Sequence, residues 1–181
     1  MKLFPSLRHP VWVVMGLAVA IAVLAMPGTP KAASALGTGD SGLPVPRFVS
    51  LASSEVNVRM GPSTSHKVKW TFIKAGLPVE VLREFGNWRQ VRDAEGEEGW
   101  IHAALLSGRR TVLVSPWASD ENVPLRAVAK ATAKPIAYLE PSVLADVKRC
   151  DGSWCSISGR GWQGLVPQRL LWGVYPKETV D

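Results

Sequence analysis

Val79 to His102 reads VEVLREFGNWRQVRDAEGEEGWIH, and this stretch decides the fold. Val79 and Val81 stand two apart, which puts both on one face of a strand. Gly86-Asn87 supplies the residues a tight hairpin turn needs, because both tolerate a left-handed backbone. Trp88 to Arg92 is the returning strand, with Val91 facing inward. Asp93 to Gly99 is a second polar, glycine-bearing turn, and Gly99-Trp100-Ile101-His102 is a third strand.

The same plan recurs towards the C-terminus. Val123-Pro124-Leu125-Arg126 lies 67 positions after Val56-Asn57-Val58-Arg59. Val143, Val147, Trp154 and Ile157 lie 66 after Leu77, Val81, Trp88 and Val91, and Gly164 and Val166 lie 65 after Gly99 and Ile101. Offsets this constant over short strands mark an internal repeat. The prediction is an all-β chain of two small, strongly bent barrels in tandem. Each copy sits near the lower size at which a core holds itself together, so mutual packing or a covalent staple is expected to help.

Around the two cores the chain divides as follows. Residues 36–46 are rich in Gly, Ser and Pro and read as a flexible leader. Residues 47–114 form the first domain: RFVSLA opens it, Val56 to Arg59 and Val68 to Ile73 alternate, and RRTVLV adds one further strand. Residues 115–122 are the linker, 123–175 the second domain and 176–181 a tail. Val128 to Ala133 is alanine-rich and has room for a helical turn, but Pro135 stops anything longer.

Residues 1–35 read as a signal peptide. Lys2 and Arg8 precede an apolar run from Val11 to Ala25, Pro27 and Pro30 break it, and Ala33-Ser34-Ala35 suits cleavage. The run is short of the ~30 Å bilayer core; an uncleaved anchor is the alternative. Lys2, Arg8 and Lys31 are charged and no acid accompanies them, so their removal leaves +3 of the chain's +6. A mildly basic body with acids interspersed is not a nucleic-acid footprint. A periplasmic or secreted protein is expected, without stable membrane insertion once the signal is removed.

Shifting by 66 puts Cys150 on Glu84 and Cys155 on Arg89, the two residues that flank the first hairpin turn. Opposite charges across a hairpin pair favourably, and cysteines at the same two places are within reach of a disulfide. Export favours its oxidation. A redox or nucleophilic thiol and a metal site are the alternatives. The spacing is not C-x-x-C, and the imidazoles of the mature chain, His66 and His102, both lie in the other copy.

Asn57-Val58-Arg59-x-Gly61-Pro62, Trp88-x-x-Val91, Gly96 and Gly99-Trp100-Ile101 together resemble the bacterial SH3-like (SH3b) domain, in the tandem form of exported Gram-negative proteins. The second copy resembles it less: Pro124 replaces the Asn, no Gly-Pro follows Arg126, and Leu165 stands for the second Trp. The resemblance implies small bent β-barrels and a non-catalytic targeting role, in several members towards peptidoglycan or its stem peptides.

Trp88 is out of phase with Val91 and Trp100 with Ile101, so both indoles lean outward if the aliphatic residues are core. An apolar body with an N–H tip suits a groove that grips peptide or sugar. Trp88, Trp100, Trp70, Asn57 and Arg59 are the candidate ligand-binding residues. The bland alternatives are that the indoles cover a barrel end or join the copies, that Asn57 satisfies its own loop, and that Arg59 pairs with Glu80 or Glu98. His102 reads as a strand-end surface residue. Asp93, Glu95, Glu97 and Glu98 read as a wet turn. No nucleophile elbow, metal-binding His pair or phosphate loop appears, so no catalysis, cofactor or metal is expected. The expected function is recognition of peptidoglycan stem peptides or a related envelope polymer. The alternative is a periplasmic scaffold with a protein partner.

Overall fold

A computed structural model describes residues 37–181. The predicted signal segment lies outside the described residues. Among the described residues no helix is long and apolar enough to cross a membrane.

The chain is all-β. Its strands are β1 (Gly37–Thr38), β2 (Pro44–Val45), β3 (Arg47–Leu51), β4 (Val56–Arg59), β5 (Val68–Phe72), β6 (Pro78–Phe85), β7 (Trp88–Arg92), β8 (Glu98–His102) and β9 (Leu106–Ser107). They continue as β10 (Thr111–Val114), β11 (Val123–Arg126), β12 (Pro135–Leu139), β13 (Leu144–Asp151), β14 (Trp154–Gly159), β15 (Trp162–Pro167), β16 (Leu171–Trp172) and β17 (Thr179–Val180). Short 3-10 turns at Ala103–Leu105 and Gln168–Leu170 lead into β9 and β16.

The duplication is carried through to the hydrogen-bond ladders. One sheet runs β5-β4-β8-β7-β6-β3-β9 and the other β12-β11-β15-β14-β13-β10-β16, the same path twice. Both break register at matching places: Val58/Arg59 and Val81/Arg83 in the first, Leu125/Arg126 and Val147/Arg149 in the second. Such bulges sharpen the twist and let so few strands curl round a core. Val56, Val58, Val81, Val91 and Ile101 are fully buried in one lobe, and Val112, Val114, Cys155, Ile157 and Val166 in the other. At Gly99 an added Cβ would lie 2.4 Å from the Val58 side chain, and at Gly164 2.6 Å from Leu125. The repeat keeps glycine at both because β8 and β15 cross there too closely for a side chain.

The domain limits need correction. Thr111–Val114 pairs with β13 and β16, so it is the first strand of the second lobe and not the last of the first. Its place matches β3, which pairs with β6 and β9. The boundary therefore falls before Thr111, and 115–122 is a connection inside the second lobe. The leader is not a loose segment either: from Gly37 it forms the β1–β2 hairpin, and Ser41 donates to Glu84 through its amide (2.6 Å) and hydroxyl (2.9 Å). The tail is also tied down, since β17 pairs with β13 and Glu178 takes both Nη groups of Arg110. Val128 to Ala133 makes turns, with Ala133 N–H on the Lys130 carbonyl, and no helix.

The lobes share a contact. Thr111 Oγ1 donates to the Gly76 carbonyl (2.6 Å), Trp172 Nε1 to the Pro78 carbonyl (3.2 Å) and the Tyr175 hydroxyl to Glu80 (2.9 Å). Phe48 packs on Trp172 and Tyr175, at 5.0 and 4.7 Å between ring centres. Glu80 is buried by this contact and also paired with Arg92. Strand alternation alone would leave Glu80 wet. Burial, with the Glu80 charge beside it, pushes the Tyr175 phenol well above its usual range.

Cys150 and Cys155 are register partners across the β13–β14 turn and form a disulfide. Their counterparts Glu84 and Arg89 are register partners too and form an ion pair at 3.0 Å.

Candidate functional site

Strand β4 sets out the site. Its alternation buries Val56 and Val58 and turns Asn57 to solvent. The bulge after Val58 re-aims Arg59 towards the loop that follows, where its Nη1 donates to the carbonyls of Thr64 (3.2 Å) and His66 (2.7 Å). Trp88 opens β7 and His102 closes β8, and the two are direct register partners. Their rings meet edge to face, 5.4 Å apart at 90°. His102 Nδ1 accepts from the Ala104 amide (3.3 Å), which leaves the neutral ring's proton on Nε2. These residues enclose a groove of about 370 Å³. Glu55, Thr64 and Leu105 complete its lining.

Of the five predicted binding residues, Asn57, Arg59 and Trp88 come together here; Trp70 and Trp100 do not line the groove. Trp70 packs against the first core, edge-on to Phe72, with Lys69 Nζ 5.0 Å from its ring. Its indole N–H is buried without a partner. Trp100 is half-buried on β8, opposite Arg59 in register. Arg59 pairs with neither Glu80 nor Glu98: Glu80 is taken by Arg92 and Tyr175, and Glu98 accepts from Gln90. Asn57 does not satisfy its own loop, because its Oδ1 accepts from Thr71 on the neighbouring strand (2.7 Å).

His102 is the residue that sequence reasoning set aside. The signal was available: a side-chain acceptor at a strand end, just before a turn whose first amides need partners. The acidic turn is only partly wet. Asp93 is buried and accepts from the amides of Glu95 and Glu97, so it organises the turn and is not free for acid–base work. Neither cysteine is free, and no cluster of three potential metal ligands occurs among the described residues.

The second lobe shows which features are architectural. Arg126 stands where Arg59 does and also clamps its loop, through the carbonyls of Ala131 (3.0 Å) and Ala133 (3.2 Å), while its Nη1 reaches Pro124 (3.2 Å). Trp154 stands for Trp88 and pairs in register with Pro167, which replaces His102. Pro124 replaces Asn57. The arginine clamp and the indole are thus common to both lobes, and the polar groups of the groove belong to the first.

A family model described as the bacterial SH3 domain matches residues 52–108 and 119–173, once per lobe. YrvJ of Bacillus subtilis, assigned as an N-acetylmuramoyl-L-alanine amidase, is 27% identical over 128 residues, covering 67% of this chain and 24% of that protein. The chain therefore spans about a quarter of that relative's length. Among solved structures, NlpC2 of Trichomonas vaginalis is 15% identical with a TM-score of 0.33, covering 71% of this chain and 48% of that one. An NlpC/P60 family protein of Bacillus cereus is 12% identical with a TM-score of 0.32, covering 69% and 55%.

Proposed function

We propose that this chain, which belongs to the bacterial SH3 domain family, is an exported, non-catalytic binding module that holds peptidoglycan stem peptides or a related envelope polymer in its first-lobe groove. One observation carries the reading. An indole, an arginine held by its loop, an outward asparagine and a capping histidine converge on one open groove in the lobe that retains them all. A concave site with an apolar wall and a few fixed polar groups is how small modules recognise short peptides. The assignment of YrvJ as an N-acetylmuramoyl-L-alanine amidase supports a cell-wall setting. The Cys150–Cys155 disulfide supports export.

The test is retention of the mature protein on purified sacculi. Wild type should sediment with them, and Trp88→Ala should abolish retention while Trp154→Ala leaves it. Equal retention of wild type and Trp88→Ala removes the proposal.

One observation favours a second reading, a protein partner. The terminal strand β12 exposes Ile136 (58%) and Tyr138 (64%), two apart on one face. Cross-linking to an envelope protein that survives Trp88→Ala but falls on Tyr138→Ser, without retention on purified sacculi, would favour this edge over the groove.

A further inference from the structure

Three of the polar side chains that line the first-lobe groove, Asn57, Arg59 and His102, have their acceptor or inner side already spent. Asn57 Oδ1 accepts from Thr71, so the amide NH2 remains. His102 Nδ1 accepts from Ala104, so Nε2–H remains. Arg59 uses Nη1 on its loop, so Nε and Nη2 remain, with no carboxylate partner among the described residues. Three separate internal bonds thus leave the same kind of group unspent on three residues that line the groove: a donor. The second lobe gives the contrast. There Asn57 and His102 are replaced by prolines, and Arg126 spends Nε and Nη2 on the loop carbonyls of Ala133 and Ala131 and Nη1 on the Pro124 carbonyl of its own strand. Where no donor array is kept, its members are deleted or consumed.

We infer that the groove is a receptor for a carboxylate, and that within the stem-peptide reading it takes a peptide's free carboxylate, set between Arg59, Asn57 and His102 against the Trp88 ring. This rests on the proposed function. A carboxylate is acceptor-only and has about four lone-pair sites, which matches three converging donors. An amide places an NH2 where the groove offers more N–H and leaves those donors unpaired. Glu55, the one carboxylate among the lining residues, stands exposed at the groove. It disfavours a carboxylate at its own end and so gives the site a direction.

The test titrates the mature protein, followed by tryptophan fluorescence, with synthetic L-alanyl-γ-D-glutamyl-L-lysyl-D-alanine as the free acid and with its carboxylates converted to amides. The acid should bind at least tenfold more tightly than the amide at low salt. Asn57→Asp keeps an oxygen for Thr71 but presents an acceptor and a charge, and should cost the acid at least tenfold. An amide that binds as well as the acid overturns the inference. So does failure of both peptides to bind while retention on sacculi still needs Trp88, a result that spares the binding reading. Loss of Trp88-dependent retention removes both. A readout independent of ligand guards against a misfolded variant: nitrogen NMR of His102 at neutral pH should show the proton on Nε2. A proton on Nδ1 would take away one donor and refute the array.

Discussion

Glu84→Gln tests how the chain fastens its own N-terminal hairpin. The Glu84 side chain is fully buried, and it receives the Ser41 amide and hydroxyl, Arg47 Nη2 (2.6 Å) and Arg89 Nε (3.0 Å). Burial works against its charge, but the Ser41 and Arg47 hydrogen bonds outweigh it and hold the carboxyl at about 2, below the ordinary 4.5. A group whose folded pKa is depressed stabilises above its unfolded pKa, and the effect disappears as pH falls through the folded value. The shift corresponds to about 3 kcal/mol at pH 7 and roughly half of that or less at pH 3. Glutamine keeps one oxygen to accept from Ser41, so the expected loss at pH 7 is ~2 kcal/mol. Urea unfolding followed by tryptophan fluorescence at pH 7 and pH 3 measures it. The gap between wild type and variant should shrink at the lower pH. A gap that is absent at pH 7, or equal at both, refutes the reasoning.

Three further outcomes follow from named contacts. Gly99→Ala sets a methyl 2.4 Å from Val58 and should cost about 1–3 kcal/mol, read as a lower urea midpoint; Gly108→Ala, where nothing lies within 4 Å, is the control. Tyr175→Phe removes the hydroxyl from buried Glu80 and should cost ~1–2 kcal/mol. Because that bond joins the lobes, a single unfolding transition should broaden or split, and an unchanged transition would show that the bond couples nothing. Replacing Cys150 and Cys155 together by serine should lose about 2 kcal/mol, the value for closing a very short loop. Non-reducing peptide mapping should recover the two cysteines linked in the wild type.

The repeat separates scaffold from specificity. An arginine that clamps the β4–β5 loop recurs in the β11–β12 loop, so Arg59 is an architectural residue first and a ligand group only by the atoms it has left over. One hairpin position holds an ion pair in one lobe and a disulfide in the other, two solutions to fastening the same turn. The charge at the first turn is held because the β1–β2 hairpin that covers Glu84 also donates to it through Ser41. Cys150 is instead covered by β17, which pairs with it through Val180.

Much of the molecule was determined by short-range order in the sequence. Alternation fixes which face of a strand is buried, glycines at positive φ close the hairpins at Gly86 and Gly152, and a constant offset carries both features into the second copy. That was enough for the all-β repeat, the Cys150–Cys155 pair, and the outward lean of Trp88. Whatever depends on a distant partner was decided by the tertiary structure. Thr111–Val114 reads equally well as the end of one lobe or the start of the next, and only its ladder to β13 and β16 settles it. Glu80 and Glu84 look like wet residues until the second lobe and the N-terminal hairpin cover them. The groove itself needed the β4–β5 loop folded back on Arg59, and the ends of β7 and β8 brought side by side. A pattern of neighbours in sequence states which way a side chain points, and pairing over long separations states what it meets there.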